Sequence, residues 1–300
     1  LNCTVIDVRL KKKIRGSILT QALNEAMKRH PFLASKLVEK NGDFYIADNQ
    51  NIALTVRRSK SFRSLGSLSN SYHLIEVSYY KEHIYVSFHH ALCDGGGIKP
   101  FVETLIYYYF VKLNNRDYDA LHVRKSTDSM FFYETAELFH KKYEVQSFEE
   151  PLINKDSFKL PEYDHQIEDE DYRFEIEINS QEYLSFAKRV NATPAILMSY
   201  LISKSIYINN SNIDKPIVCS IATDMRKELG LPHTHKNCVR SMYLSFDQKD
   251  NQMNLKELCT KYRESIAKQR DLNYVKQTAN MFSGMNDKLD QLKTMEEKKK

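Results

Sequence analysis

The sequence predicts a mixed α/β protein of two subdomains. Segments of period-two alternation, such as Thr4–Leu10 and His83–Phe88, are followed by stretches with apolar residues at helical spacing. The same strand–helix–strand character restarts at Tyr172, without an internal sequence repeat. Between the halves, Glu149 to Asp171 is acidic, holds two prolines and reads as a linker. The expected organisation is an N-terminal subdomain over 1–150, a linker over 151–171 and a C-terminal subdomain over 172–300. Three hundred residues are ample for a sizeable core and suit two units better than one.

The elements follow in order. In Thr4–Leu10, Ile6, Val8 and Leu10 alternate with Asp7 and Arg9, as in a half-buried strand. A helix runs from about Ser17, with Ile18, Leu19, Ala22, Leu23, Ala26 and Met27 as its apolar stripe, and Pro31 stops it. Leu33–Val38 and Phe44–Ala47 flank Asn41-Gly42-Asp43, a hairpin-turn signal. Ser59–Ser71 is serine-rich and reads as a loop. His73–Tyr80 and His83–His90 form a second hairpin. After a Gly95-Gly96-Gly97 turn, Ile98, Phe101, Val102, Leu105, Ile106, Tyr109 and Leu113 mark a helix. Residues 114–130 read as irregular and Met130–Tyr143 as helical. Tyr172–Ile178 alternates as a strand. Ser180–Val190 is a helix with Ser180 as its cap and Tyr183, Leu184 and Ala187 inward. Thr193-Pro194 opens another helix, as cap and first residue. Strands follow at Pro216–Thr223 and Cys238–Phe246, then a helix at Leu255–Arg270 and a polar, helical remainder.

Composition excludes some functions. Charged residues make up 28% and hydrophobic residues 42%, which is ordinary globular usage and argues against disorder. The net charge of +5 is spread along the chain, and Lys11-Lys12-Lys13 and Lys298-Lys299-Lys300 read as solvated surface. No clustered basic face marks a nucleic-acid site. No membrane-spanning run or signal peptide is visible. Five cysteines, an odd number without close-spaced pairs, fit reduced thiols in a cytoplasmic setting better than a disulfide framework. His233-Thr234-His235 with Cys238, and His89-His90 with Cys93, offer metal-ligand types, but neither spacing matches a zinc module, so no metal is expected.

The run Ser87-Phe88-His89-His90-Ala91-Leu92-Cys93-Asp94-Gly95-Gly96-Gly97 is the candidate site. Histidine titrates nearest neutrality, so it can take and return a proton at working pH. Ile84, Val86 and Phe88 share one strand face. Continuing that parity puts His90 on the apolar face and His89 on the other. On position alone, a core histidine bonded to backbone is the competing reading.

This run resembles the HHxxxDG signature of the superfamily that contains chloramphenicol acetyltransferase, the condensation domains of nonribosomal peptide synthetases, plant BAHD acyltransferases and alcohol acetyltransferases. Ile18 to Leu33, with Arg29-His30-Pro31, is similar to that family's first helix. Asp224-Met225-Arg226 followed by Asn237 is similar to its later strand and loop, although Lys236 stands where glycine is frequent.

The resemblance implies two chloramphenicol-acetyltransferase-like subdomains with mixed sheets and an active site in a channel between them. It implies an acyltransferase that moves an acyl group from a thioester to an alcohol or amine. His90 is then the general base; His89, whose parity points away from His90, is a candidate for either a supporting or a catalytic role. Asp94 is paired with Arg226, or second with Arg240, rather than relaying protons as a triad aspartate does. The bland alternative for Asp94 is a solvated surface carboxylate. Gly95 would keep the channel wall thin, and its N–H or that of Gly96 could bind an oxyanion. Asn237 would line the channel. The resemblance implies no tightly bound cofactor. Acyl-CoA is the expected co-substrate, with a carrier-protein thioester as alternative, and the partner is a small-molecule alcohol or amine. A non-catalytic relative that holds a ligand or partner, and a homo-oligomer, are the other expectations. Family members run longer and carry later strands, in BAHD members with a DFGWG motif. The expectation is therefore an incomplete second sheet, with an apolar edge that is either exposed or filled by a neighbouring protomer, and weak or absent activity.

Overall fold

The computed structural model describes residues 3–40, 43–137, 142–146, 156–161, 175–211 and 213–292. Its chain divides into two compact units that interleave in sequence. The first comprises Leu1–Tyr143, Arg226–Cys238 and Ala279–Lys300, and the second Glu144–Met225 and Val239–Thr278. A single cut near residue 150, as the sequence suggests, would assign Arg226–Cys238 to the wrong unit. That segment is bonded to the HHxxxDG loop.

The first unit contains β1 (Cys3–Arg9), α1 (Gly16–Arg29), β2 (Ser35–Lys40), β3 (Asp43–Asp48), β4 (Val56–Arg58), β5 (Ile75–Tyr80), β6 (His83–His89) and α2 (Gly95–Asn114). Four strands form a mixed sheet in the order β1-β6-β5-β4, antiparallel except for β4 beside β5. The register places Ile6 opposite Val86, Val86 opposite Val77, and Phe88 opposite Ile75. These residues pack in one core with Leu19, Ala22, Leu23 and Ala26 of α1 and Ile98, Phe101 and Leu105 of α2. Each large side chain buried there contributes about 1.5–3 kcal/mol. β2 and β3 pair as a separate hairpin, whose turn, Asn41-Gly42, lies outside the described residues.

The second unit contains α3 (Ser180–Arg189), α4 (Pro194–Asn209), β7 (Ile217–Asp224), β8 (Val239–Phe246), α5 (Gln248–Gln252) and α6 (Leu255–Gln269). A last helix, α7 (Leu272–Asp290), follows. Among the described residues, β7 and β8 pair only with each other. Ile217, Leu244 and Phe246 meet Ile196 and Leu197 of α4 and Leu258 and Tyr262 of α6 in a second core. α4 is apolar on every side, yet Met198, Leu201, Ile202 and Ile208 remain exposed on one face. Thr193 caps α4 by accepting from the Ile196 N–H at 3.2 Å, with Pro194 as the first helical residue.

Four sequence expectations are corrected. Phe132–Thr135 is a short 3-10 turn, not the start of an α-helix over Met130–Tyr143; residues 138–141 of that span lie outside the described residues. The carbonyls of Glu134 and Ala136 accept from the His235 N–H at 2.8 Å and the Thr234 hydroxyl at 2.6 Å, so they are taken from any helical ladder. Residues 175–178 are not a strand. Ile176 and Ile178 are exposed, and alternation that joins no ladder among the described residues does not make a strand. Residues 172–174, and the linker apart from 156–161, lie outside the described residues. α3 is capped by Asn179, whose side chain accepts from the Gln181 and Glu182 N–H groups, not by Ser180. Of its expected inward residues, Leu184 is exposed and Ala187 is buried.

Candidate functional site

β6 delivers the histidine pair. It ends at His89, and the chain turns at once, with the Leu92 N–H donating to the His89 carbonyl at 2.9 Å. His90 therefore stands beyond the strand, and its side chain is exposed. The parity expectation, which put His90 on the apolar face, is corrected for this reason: pleat alternation stops where the strand stops. His89 is half-buried, and its Nδ1 accepts from the Ala91 N–H at 3.1 Å. Burial pulls the His89 pKa down, and the neighbouring His90 pulls it further.

The expected glycine turn is also corrected. Gly95, Gly96 and Gly97 form the first turn of α2, with Asp94 as its cap. The Asp94 carboxylate, fully buried, accepts from the Gly97 N–H at 2.7 Å. That bond fixes a helix start in three residues with poor intrinsic helix propensity. The same carboxylate accepts from Arg226 Nη2 at 2.6 Å and from the Cys238 N–H at 2.8 Å. Arg226, itself buried, also donates from Nε to the Thr234 carbonyl and from Nη2 to the Lys236 carbonyl. Arg240, the second candidate partner, instead bonds the Gln269 carbonyl and lies over the Tyr274 ring. Asn237, held between these tied residues, places Nδ2 3.2 Å from Nδ1 of His90.

Crowding falls on a different glycine from the one singled out in sequence. A Cβ at Gly95 would meet no atom within 4 Å, whereas one at Gly97 would strike the carbonyl of His235. Gly97→Ala is expected to destabilise by about 1–3 kcal/mol through overpacking, and Gly95→Ala to stay within about 1 kcal/mol of wild type. Urea unfolding of the two variants checks this, and equal midpoints would refute it.

Comparison with known proteins gives a fold. No family model matches the sequence, and no curated protein matches it. Solved structures do match. Polyketide synthase associated protein 5 from Mycobacterium tuberculosis is 14% identical, with a TM-score of 0.56 over 92% of this chain and 71% of that one. TRI101 of F. sporotrichioides, solved with coenzyme A and T-2, is 14% identical, with a TM-score of 0.57 over 95% and 75%. The first condensation domain of the CDA synthetase is 11% identical, with a TM-score of 0.55 over 91% and 69%. The chain has the chloramphenicol-acetyltransferase-like fold.

Within that fold, the first unit holds a buried polar cluster that sequence reasoning missed. Glu134 receives Arg29 in a two-pronged contact at 2.6 and 2.9 Å, and Arg124 at 3.2 Å. Burial pushes the Glu134 carboxyl up, but the Arg29 fork, His235 and Arg124 outweigh it and hold the group below its ordinary range. His235 donates from Nδ1 to the Gly97 carbonyl at 2.6 Å, and its Nε2 accepts from Arg124 at 2.9 Å, so the ring is neutral. His30 donates from Nε2 to Thr104, whose hydroxyl is spent on backbone carbonyls. Arg29 and His30 were legible only as part of a helix-end resemblance, and His235 only as a rejected metal ligand. Among the described residues, no group of three His, Cys, Asp or Glu side chains could hold a metal, and no helix is long and apolar enough to cross a membrane.

This cluster sets an acid limit. Burial, then the repulsion a protonated His30 would meet from a protonated His235, and the charges of Arg29 and Arg124 pull the His30 pKa down to about 2, and burial lowers that of His235. Below about pH 6.5 the unfolded chain binds protons at these positions and the native chain does not, so stability falls as pH falls. Glu134 adds its own loss only below the ordinary carboxyl range, near pH 4.3. The unfolding free energy is expected to decline from about pH 6.5 downward, by up to about 1.4 kcal/mol per pH unit for each histidine, and the melting temperature falls with it. A melting temperature flat between pH 7 and pH 5 would contradict this.

Proposed function

We propose that this chain is an acyltransferase that moves an acyl group from a thioester to an alcohol or amine, with His90 as general base. The observation that carries the reading is the placement of His90. Its ring is exposed just past the end of β6, on a loop anchored through Asp94 to Arg226 and Cys238. Exposure removes the core-packing reading of this histidine, and a rigid base leaves its ring placed to exchange a proton with a bound acceptor.

The ring takes the proton from the acceptor hydroxyl or amine as that group attacks the thioester carbonyl. The new C–O or C–N bond forms, the C–S bond breaks, and the imidazolium returns its proton to the leaving thiolate. The N–H groups of Gly95 and Gly96 belong to a helix first turn, which lacks intrahelical acceptors, so either can stabilise the oxyanion. Asp94 has a structural role, because its carboxylate is engaged by Gly97, Arg226 and Cys238. His89 supports the turn through its bond with the Ala91 N–H.

Acyl-CoA is the favoured donor, since TRI101, which shares the fold, was solved with coenzyme A. A carrier-protein thioester is the second reading, favoured by the likeness to a condensation domain. The acceptor is a small-molecule alcohol or amine. All five cysteines are free thiols, which supports a reducing compartment such as the cytoplasm. The test is a screen of the full chain with acyl-CoA and carrier-bound acyl thioesters and a panel of alcohols and amines, read by thiol release and product mass. Acceptor-dependent thiol release supports the reading. Its absence with every CoA and carrier-bound donor would leave a binding module in its place.

A further inference from the structure

We propose that Asn237 is the positioning residue of His90, its side-chain amide fixing the orientation of the ring in either tautomer. The proposal rests on the acyl-transfer reading, because only a base needs its ring held towards an acceptor.

The geometry begins with the ring. His90 is exposed, and among the described residues its one ring hydrogen bond is to Asn237, at 3.2 Å. An exposed imidazole with no such tie samples several rotamers. The amide, by contrast, stands on a fixed base. The next residue, Cys238, donates its N–H to Asp94, and the preceding residue, Lys236, gives its carbonyl to Arg226. The Lys236 N–H in turn donates to the Thr234 hydroxyl at 3.2 Å. Asp94 thus acts on His90 through two steps. Its carboxylate pins the backbone on the far side of Asn237, and Asn237 reaches back to the ring. This links the acid of the HHxxxDG run to its second histidine without any contact between them.

The chemistry of the amide fits that task. It presents a donor on one side and an acceptor on the other. With Nδ2 towards the ring, Nδ1 accepts and the proton of the neutral ring sits on Nε2. A half-turn of the amide brings Oδ1 to Nδ1, which then donates, and Nε2 keeps its lone pair for the acceptor. An acceptor hydroxyl arriving at Nε2 selects this second state, and it is the working one. The titratable and charged groups on the adjoining residues are His89, held towards its neutral form, Lys236, whose amine pairs with Glu137, and the Asp94–Arg226 pair. An amide orients the ring without adding the negative charge that a triad aspartate brings.

The experiment uses the full chain with histidine-selective ¹⁵N labelling, the His90 signal being assigned from a His90→Gln spectrum. Its readout needs no substrate. In Asn237→Asp, a carboxylate replaces the amide beside Nδ1, and the His90 titration is expected to move up by about one pH unit. In Asn237→Ala the melting temperature is expected to stay near wild type. With any acceptor found in the screen, kcat should fall by about tenfold or more while KM holds, and Asn237→Asp should recover part of it with a shifted pH profile. An unmoved His90 titration in Asn237→Asp would overturn the proposal, as would unchanged kcat in Asn237→Ala. Absence of any transfer by wild type would instead remove the acyltransferase reading, and the titration would still report whether the amide meets the ring.

Discussion

Asp94→Asn is expected to lower the unfolding free energy by about 3–5 kcal/mol, the cost of leaving one member of a buried pair without its partner. The substituted amide can still accept from the Gly97 N–H, so the cap of α2 survives in part. Its NH₂ then takes the place of Oδ2 and faces the Cys238 N–H, a donor against a donor in a buried place. Arg226 would keep its bonds to the Thr234 and Lys236 carbonyls but lose its counter-charge. Melting should fall by roughly ten degrees, and activity with it, since the segment that carries Asn237 loses its anchor. Arg226→Met in the Asp94→Asn background should cost far less than in wild type, because the stranded charge is already the main penalty. Additive losses in that cycle would mean that the two groups are not coupled in solution.

The legibility of this chain in sequence follows how local each feature is. β1, α1, α2, α4 and the hairpins announce themselves by periodicity and by turn or cap residues, as Thr193-Pro194 does for α4. Phe132–Thr135 does not, because the carbonyls that would have continued a helix are claimed by Thr234 and His235, remote in sequence. The strand expected up to Ile178 fails for the opposite reason: its alternation is clean, but residues 175–178 join no ladder among the described residues. At the site, the motif could name Asp94 and Arg226 only through a resemblance, since no period connects residues so far apart. His90 was placed on the wrong face because parity was extended one residue past the strand end. Gly97 was passed over for Gly95 because only the packed backbone shows which of three adjacent glycines meets the His235 carbonyl. The cluster around Glu134 was invisible because its members are drawn from four separate segments.

His90→Ala is expected to remove acyl transfer by about 10²–10⁴-fold, the usual loss for a general base, with thermal stability almost unchanged. The two halves of that expectation have separate causes. The ring is exposed, so its removal opens no cavity and strands no buried charge, and surface changes of this kind stay within about 0.5 kcal/mol. The chemistry suffers because a neutral alcohol is a weak nucleophile at pH 7 and no other exposed base stands on the same loop. His89 cannot substitute, since its Nδ1 is engaged by the Ala91 N–H and the strand turns it elsewhere. The contrast with Asp94→Asn makes the pair of variants diagnostic. One should lose stability and activity together, and the other activity alone. If His90→Ala retained wild-type turnover with a verified acceptor, the base would have to be sought elsewhere, and the exposed ring held by Asn237 would have no catalytic role.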